Sequence, residues 1–157
     1  DISTPIHAVY VGSGTVYLAE RGTNNVREAT RNWGGIVAGK EASGERMQKL
    51  RNKINEVKQK YPNRQIKTTG HSMGGTHVRK LTTETNIPSR TFNPGSGVSE
   101  LKLAQSCGGG AKPSFCNKLT AHKILGDPAS ALLTAGKVFI YDKIKSNAHT
   151  IANFSEI

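Results

Sequence analysis

The sequence predicts a single α/β domain built on a mostly parallel sheet, and three observations lead there. Short β-rich runs recur along the 157 residues, an amphipathic helical stripe separates two of them, and glycine-rich junctions join the rest. Strands that alternate with helices need crossover connections, and such crossovers set neighbouring strands parallel. No internal repeat or linker divides the chain, so residues 1–157 are read as one domain.

The elements follow in order. His7–Val11 and Thr15–Ala19 read as strands, with Gly12-Ser13-Gly14 as the turn between them. Asn25–Trp33 and Gly34–Ser43 are polar and glycine-rich, hence loop or short helix. Met47, Leu50, Ile54, Val57 and Tyr61 then recur at spacings of three and four, the stripe of an amphipathic helix that Pro62-Asn63 ends. Gln65–Thr69 reads as a strand, Gly74–Thr85 as a helix and Ser89–Asn93 as a strand, followed by a loop at Pro94–Gly97. Ser106–Asn117 reads as a glycine-rich loop, and Leu119–Leu125 and Lys137–Tyr141 as two further strands.

Composition excludes several classes. The length leaves no room for a separate cofactor-binding unit, and no apolar run approaches the roughly 20 residues of a membrane-spanning helix. No signal peptide stands at the start, and an opening at Asp1 rather than Met is read as a processed or trimmed product. Two cysteines rule out a disulfide-rich scaffold and a four-cysteine zinc site. Leu, Ile, Val and Phe make up about 21% of the chain, so the core must be small. The net charge is +11, and residues 46–80 carry +9 of it, against −1 for residues 1–45 and +3 for residues 81–157. A field of that sign attracts phosphates of lipid or nucleic acid, although a solvated helix face accounts for it as well.

The sharpest local signal is Gly70-His71-Ser72-Met73-Gly74-Gly75, which fits G-x-S-x-G. That turn lifts a serine above a sheet between a strand and a helix, and small residues allow the close approach it requires. Hydrolases that carry it run serine, acid, histidine along the chain. Only His149 lies after both the serine and a plausible acid, and the aspartates are Asp1, Asp127 and Asp142. Asp127 follows a strand within Gly126-Asp127-Pro128, whereas Asp142 reads as a surface charge at a strand end. The candidate triad is therefore Ser72 as nucleophile, His149 as general base and Asp127 as its orienting acid.

With those residues in place the chain resembles a minimal class-three lipase, the fungal triacylglycerol lipase type of the α/β-hydrolase fold. Tyr17-Leu18-Ala19-Glu20-Arg21-Gly22-Thr23 is similar to the family's strand ending in Arg-Gly-Thr, and the serine turn is similarly preceded by a helix ending Tyr61-Pro62. Thr91-Phe92-Asn93-Pro94-Gly95 resembles the strand and turn after the serine helix. Gly126-Asp127-Pro128-Ala129-Ser130 and His149-Thr150-Ile151 resemble the acid and histidine loops. The resemblance spans residues 15–154 and implies an oxyanion hole from the backbone N–H groups of Thr23 and Met73. It also implies a mostly parallel sheet flanked by helices and hydrolysis of a lipid or phospholipid ester, with no cofactor.

Some features depart from that pattern. The serine strand Gln65–Thr69 is polar and Lys123 interrupts the acid strand, which leaves one sheet face poorly covered or covered by a protein partner. The segment after Thr23 is short and hydrophilic, with little that resembles a greasy lid, which favours an esterase or phospholipase with an open site. The alternative is a catalytically inactive scaffold with a structural or phosphate-binding role. Off the apolar stripe, Lys49, Arg51, Lys53, Lys58 and Lys60 are expected to face water and to meet an anionic membrane through helix 46–61; nucleic acid is the less favoured partner.

Other constellations carry less. Gly34–Glu41 misses a phosphate-binding loop by one residue, because Glu41 stands where a magnesium-binding hydroxyl is required. His7, His77 and His122 show no metal-ligand spacing, so no metal is expected. His71 is assigned to packing at the turn, and Asn153-Phe154-Ser155 is a formal glycosylation triplet. Cys107 and Cys116 bracket a short flexible loop and are expected to pair, which would place the chain in a secreted or other extracellular setting.

Overall fold

The structure is a computed structural model and describes residues 2–23, 44–142, 147–149 and 151–155. The loops expected at Asn25–Trp33 and Gly34–Ser43, the phosphate-loop near-match at Gly34–Glu41, Thr150 and the Asn153 side chain lie outside what it describes.

Six strands form one sheet in the spatial order of the chain, β1 (His7–Val11), β2 (Thr15–Glu20), β3 (Gln65–His71), β4 (Ser89–Phe92), β5 (Leu119–Ile124) and β6 (Lys137–Tyr141). β1 and β2 are an antiparallel hairpin across Gly12-Ser13-Gly14, and every later pairing is parallel. Among the described residues α-helices lie in the crossovers from β2 to β5, α1 (Gly44–Lys60), α2 (Ser72–Thr85) and α3 (Val98–Gly108), and a 3₁₀ turn at Pro128–Ser130 lies in the one from β5 to β6. The molecule is thus α/β, as expected. Consecutive parallel strands that sit side by side require each helix to return over the same side of the sheet, given the right-handed crossover.

Strand alternation makes that side legible. Leu18, Thr68, Ser89 and Leu119 share one row of the register, and all four are buried. Against that side Leu18 packs with Met47, Leu50 and Ile54 of α1, Val78 and Leu81 of α2, and Ile87. Leu119 packs with Cys107 and Cys116, flanked by Leu103 and Phe115. The apolar stripe of α1 is therefore its buried face, and burying each such side chain stabilises by about 1.5–3 kcal/mol. The expected mostly parallel sheet with helices packed against it is thus present, and the described α-helices lie on this one side.

Polar side-chain pairs, buried and exposed, link the helices. Arg79 of α2 meets Glu100 of α3 at 2.6 Å, and Ala135 both donates to Glu100 and accepts from Arg79. Arg51 of α1 donates twice to Glu84 of α2, at 2.8 and 2.9 Å. Lys53 is buried and donates to the Ile2 carbonyl at 2.8 Å, besides pairing with Glu56. The expectation that Lys53 faces water is corrected, whereas Arg51 stays partly exposed beside Glu84. Helix α1 lies between its neighbours, so the flanks of its stripe reach α2 and the N-terminal segment. Lys49, Lys58 and Lys60 do face water.

Other boundaries shift for physical reasons. β3 runs on through Gly70-His71, and α2 starts at the serine itself rather than at Gly74. α3 has no counterpart among the expected elements, because its apolar residues form no continuous stripe; Val98 and Leu101 are exposed, and the helix is fastened by buried Glu100 and Cys107. The expected loop Ser106–Asn117 accordingly begins in α3 and ends in a 3₁₀ turn, Ser114–Lys118. A disulfide joins Cys107 to Cys116 across it. Lys123, the charge within β5, reaches the carbonyls of Ser130 and Leu133 at 3.4 and 3.3 Å.

Candidate active site

The C-terminal ends of β2, β3 and β5 deliver the site. Ser72 stands where β3 becomes α2, and its φ of 54° is the left-handed region that L side chains rarely adopt. Close approach explains the glycines around it. A Cβ on Gly74 would collide with the carbonyls of Glu20 and Arg21 at the end of β2. One on Gly22 would stand 2.9 Å from the His71 carbonyl oxygen and 3.4 Å from the Ser72 Cβ. The strand ending in Arg21-Gly22-Thr23 thus lies directly against the serine turn.

Residues far apart in sequence converge here. Ser72 Oγ is 2.7 Å from His149 Nε2, and His149 Nδ1 is 3.0 Å from Asp127 Oδ1. Asp127 is buried just beyond β5, where Gly126 takes a φ of 83° to turn the chain. Its carboxylate also accepts from Ala129 N at 3.1 Å and from Ser130 Oγ at 2.6 Å. Burial pushes the Asp127 pKa up, but the hydrogen bonds from His149 and Ser130 outweigh it and hold the carboxyl below its ordinary value. Asp127 therefore stays ionised at neutral pH, and its charge orients the ring that faces Ser72.

The oxyanion-hole candidates are neighbours. Thr23 Oγ1 donates to Met73 Sδ at 3.6 Å, so the loop after β2 closes on the first turn of α2. The leading N–H groups of a helix have no carbonyl within the helix to bond, and they carry its partial positive charge. Met73 is fully buried beneath that turn.

Two residues support His149 in ways that sequence spacing did not reveal. Asn93 is fully buried at the end of β4; its Nδ2 donates to the Ala148 carbonyl at 2.7 Å and its Oδ1 accepts from Ile124 N at 2.9 Å. It therefore clamps the histidine loop to the end of β5. The available signal was an asparagine at the point where Thr91-Phe92-Asn93-Pro94-Gly95 leaves the sheet. His71, assigned to packing, does more: its Nε2 lies 2.7 Å from the His149 carbonyl oxygen, and the two rings are 5.0 Å apart. Burial pushes the His71 pKa below its ordinary value, so the ring is neutral and its Nε2–H donates to that carbonyl.

A second polar cluster braces the strand that carries Thr23. Glu20 is buried at the end of β2, with His7 Nε2 at 2.8 Å, Arg46 Nε at 3.1 Å and His77 Nδ1 at 3.4 Å. Arg46 also donates to the Arg21 carbonyl. Burial opposes the Glu20 charge, yet the bonds from His7 and His77 and the Arg46 guanidinium prevail and lower its pKa to about 2. His7 and His77 thus both face the Glu20 carboxylate, and His122 pairs with the Tyr141 hydroxyl at 2.7 Å. Asp142 is exposed just past the end of β6. Among the described residues no group of His, Cys, Asp and Glu could hold a metal ion, and no helix is long and apolar enough to cross a membrane.

No family model matches this chain, no curated protein matches it, and no solved structure matches its fold.

Proposed function

We propose that the chain is a serine carboxylester hydrolase of minimal α/β-hydrolase type, similar to the class-three lipases, acting on a lipid or phospholipid ester. The observation that carries this reading is the Ser72–His149–Asp127 relay, assembled at 2.7 and 3.0 Å from three separate loops. Ser72 Oγ attacks the acyl carbon while His149 Nε2 takes its proton, and a tetrahedral oxyanion forms. The Thr23 and Met73 N–H groups stabilise that oxyanion, and losing one such donor costs a rate factor of about 10²–10³. His149 then returns the proton to the departing alcohol, leaving an acyl-serine. Water attacks the acyl-serine with His149 again as base, releasing the acid and restoring Ser72. Asp127 remains ionised throughout, and no cofactor is needed.

Lys49, Lys58 and Lys60 support approach to an anionic bilayer, each contributing about 1 kcal/mol near the surface. The Cys107–Cys116 bond supports an oxidising, extracellular setting.

A fluorophosphonate probe tests the chemistry directly. Covalent labelling of the wild type, lost in Ser72→Ala, is the expected result. Absence of labelling in the folded wild type overturns the hydrolase and leaves the inactive scaffold.

A further inference from the structure

The side of the sheet opposite the helices is not a uniform surface. Tyr10, Tyr17 and Lys67 align across β1, β2 and β3, and Arg90, Thr120 and Lys137 align across β4, β5 and β6. Tyr17 is 42% exposed and Phe139 37%, and Lys67, Arg90 and Lys137 are exposed. A groove of about 590 Å³ crosses this face, and its described lining includes Lys67, Arg90 and Lys118 but no carboxylate. Parallel strands are otherwise found with both faces covered, usually by helices.

Near the C-terminal ends of the strands the chain covers this face itself. Phe154, on the 3₁₀ turn Ile151–Phe154, is buried with its ring 5.1 Å from that of Phe92 and 6.0 Å from that of Tyr141. That contact shows what the remaining surface accepts: an apolar side chain carried on a helical turn. A second copy of the chain is a poor candidate, since two faces lined with cations would meet on molecules of net charge +11. Nucleic acid is disfavoured because stacking bases need open ring faces. Here Phe92, His122 and Phe139 stack on one another at 5.1 and 5.0 Å, and the ammonium groups of Lys67 and Lys137 lie over Tyr17 and Phe139 at 6.0 and 4.9 Å.

We infer that the open sheet face is a docking surface for an acidic amphipathic helix of a protein partner, whose apolar side meets the aromatic floor and whose carboxylates meet Lys67, Arg90, Lys118 and Lys137. The surface is independent of Ser72, so the fate of the hydrolase reading does not decide it.

The probe is a synthetic helix with leucines on one side and glutamates on the other, used with its leucine–lysine counterpart and a single-stranded oligonucleotide. Wild type should bind the acidic helix and ignore the basic one. The Lys67→Glu/Arg90→Glu/Lys137→Glu variant should bind the acidic helix at least about tenfold more weakly and take up the basic helix instead. Lys58→Glu/Lys60→Glu, on α1, should behave as wild type. Should the triple variant misfold, amide shifts in wild type decide: titration with the acidic helix must move Tyr17, Thr69 and Arg90, not α1. Equal affinity of wild type and the folded triple variant, tighter binding of the oligonucleotide, shifts confined to α1, or no binding by wild type would each overturn the inference.

Discussion

Replacing Glu20 by glutamine keeps the shape of the side chain and removes its charge, which tests whether the strand bearing Thr23 is held electrostatically. Three cationic or ionisable partners lie within 3.4 Å of the carboxylate, and the carboxylate is fully buried. Its pKa falls from 4.5 to about 2 on folding, and at 1.36 kcal/mol per unit this is worth about 3 kcal/mol at neutral pH. Breaking a buried pair from one side typically costs about 3–5 kcal/mol, so the two routes agree. For a domain of this size Glu20→Gln should lower Tm by about 6–12 °C at pH 7. Because the folded pKa is the lower one, this stabilisation is present above about pH 4.5 and lost as pH falls through about 2. The stability gap between wild type and Glu20→Gln should therefore narrow on acidification, to about 1 kcal/mol at pH 3. Urea denaturation of both proteins at pH 7 and pH 3 measures it. Asp127 titrates in both and cancels in the difference. A gap below about 1 kcal/mol at pH 7, or one unchanged at pH 3, would refute the electrostatic account.

Four further outcomes are expected. Ser72→Ala should abolish hydrolysis of a short-chain ester while leaving Tm nearly unchanged, since one hydroxyl is removed; activity intact alongside a large loss of stability would make the turn purely structural. Asp127→Asn should lower kcat by about 10⁴ with little change in KM, because the ring loses its orienting charge; steady-state kinetics decide it. Reducing Cys107–Cys116, whose cysteines are nine positions apart, should cost about 2–3 kcal/mol, read as a lower Tm in dithiothreitol. Wild type should bind anionic vesicles above neutral ones in low salt, and Lys49→Glu/Lys58→Glu/Lys60→Glu should lose that preference while still hydrolysing a soluble ester.

How much of this was legible in the sequence depends on whether a residue acts locally or through the fold. The stripe of α1 was readable because one face of a regular helix faces one core, and β6 was readable as Lys137–Tyr141 because Val138, Phe139, Ile140 and Tyr141 form a short β-branched and aromatic run. The relay residues were singled out by a local motif and by chain order, and the structure brings those three together. Asn93 and His71 were not seen as supports, because each acts on the backbone of a loop that is remote in sequence. α3 escaped because burial of Glu100 against Arg79, rather than an apolar stripe, fastens it. Lys53 was misplaced because periodicity separates apolar from polar positions but says nothing about which polar flank a neighbouring segment will cover. The polar character of one side of the sheet was hinted at by Lys67 and Thr69, yet only strand register shows that they join Arg90 and Lys137 on one surface.

The side-by-side order of the strands has a consequence in time. Each strand pairs with the one made just before it, so the sheet can be laid down in the order of synthesis, with no early strand waiting for a late partner. The relay follows a different schedule: His149 lies 77 residues beyond Ser72 and after every strand. At about 5–20 residues per second the serine emerges roughly 4–15 s before its base. Throughout that interval a growing chain holds Ser72 in its turn without a group to take its proton. Under the proposed mechanism it is inert toward the lipids around its own site of manufacture. Under the same mechanism the serine becomes competent only once His149 has joined it and Asp127.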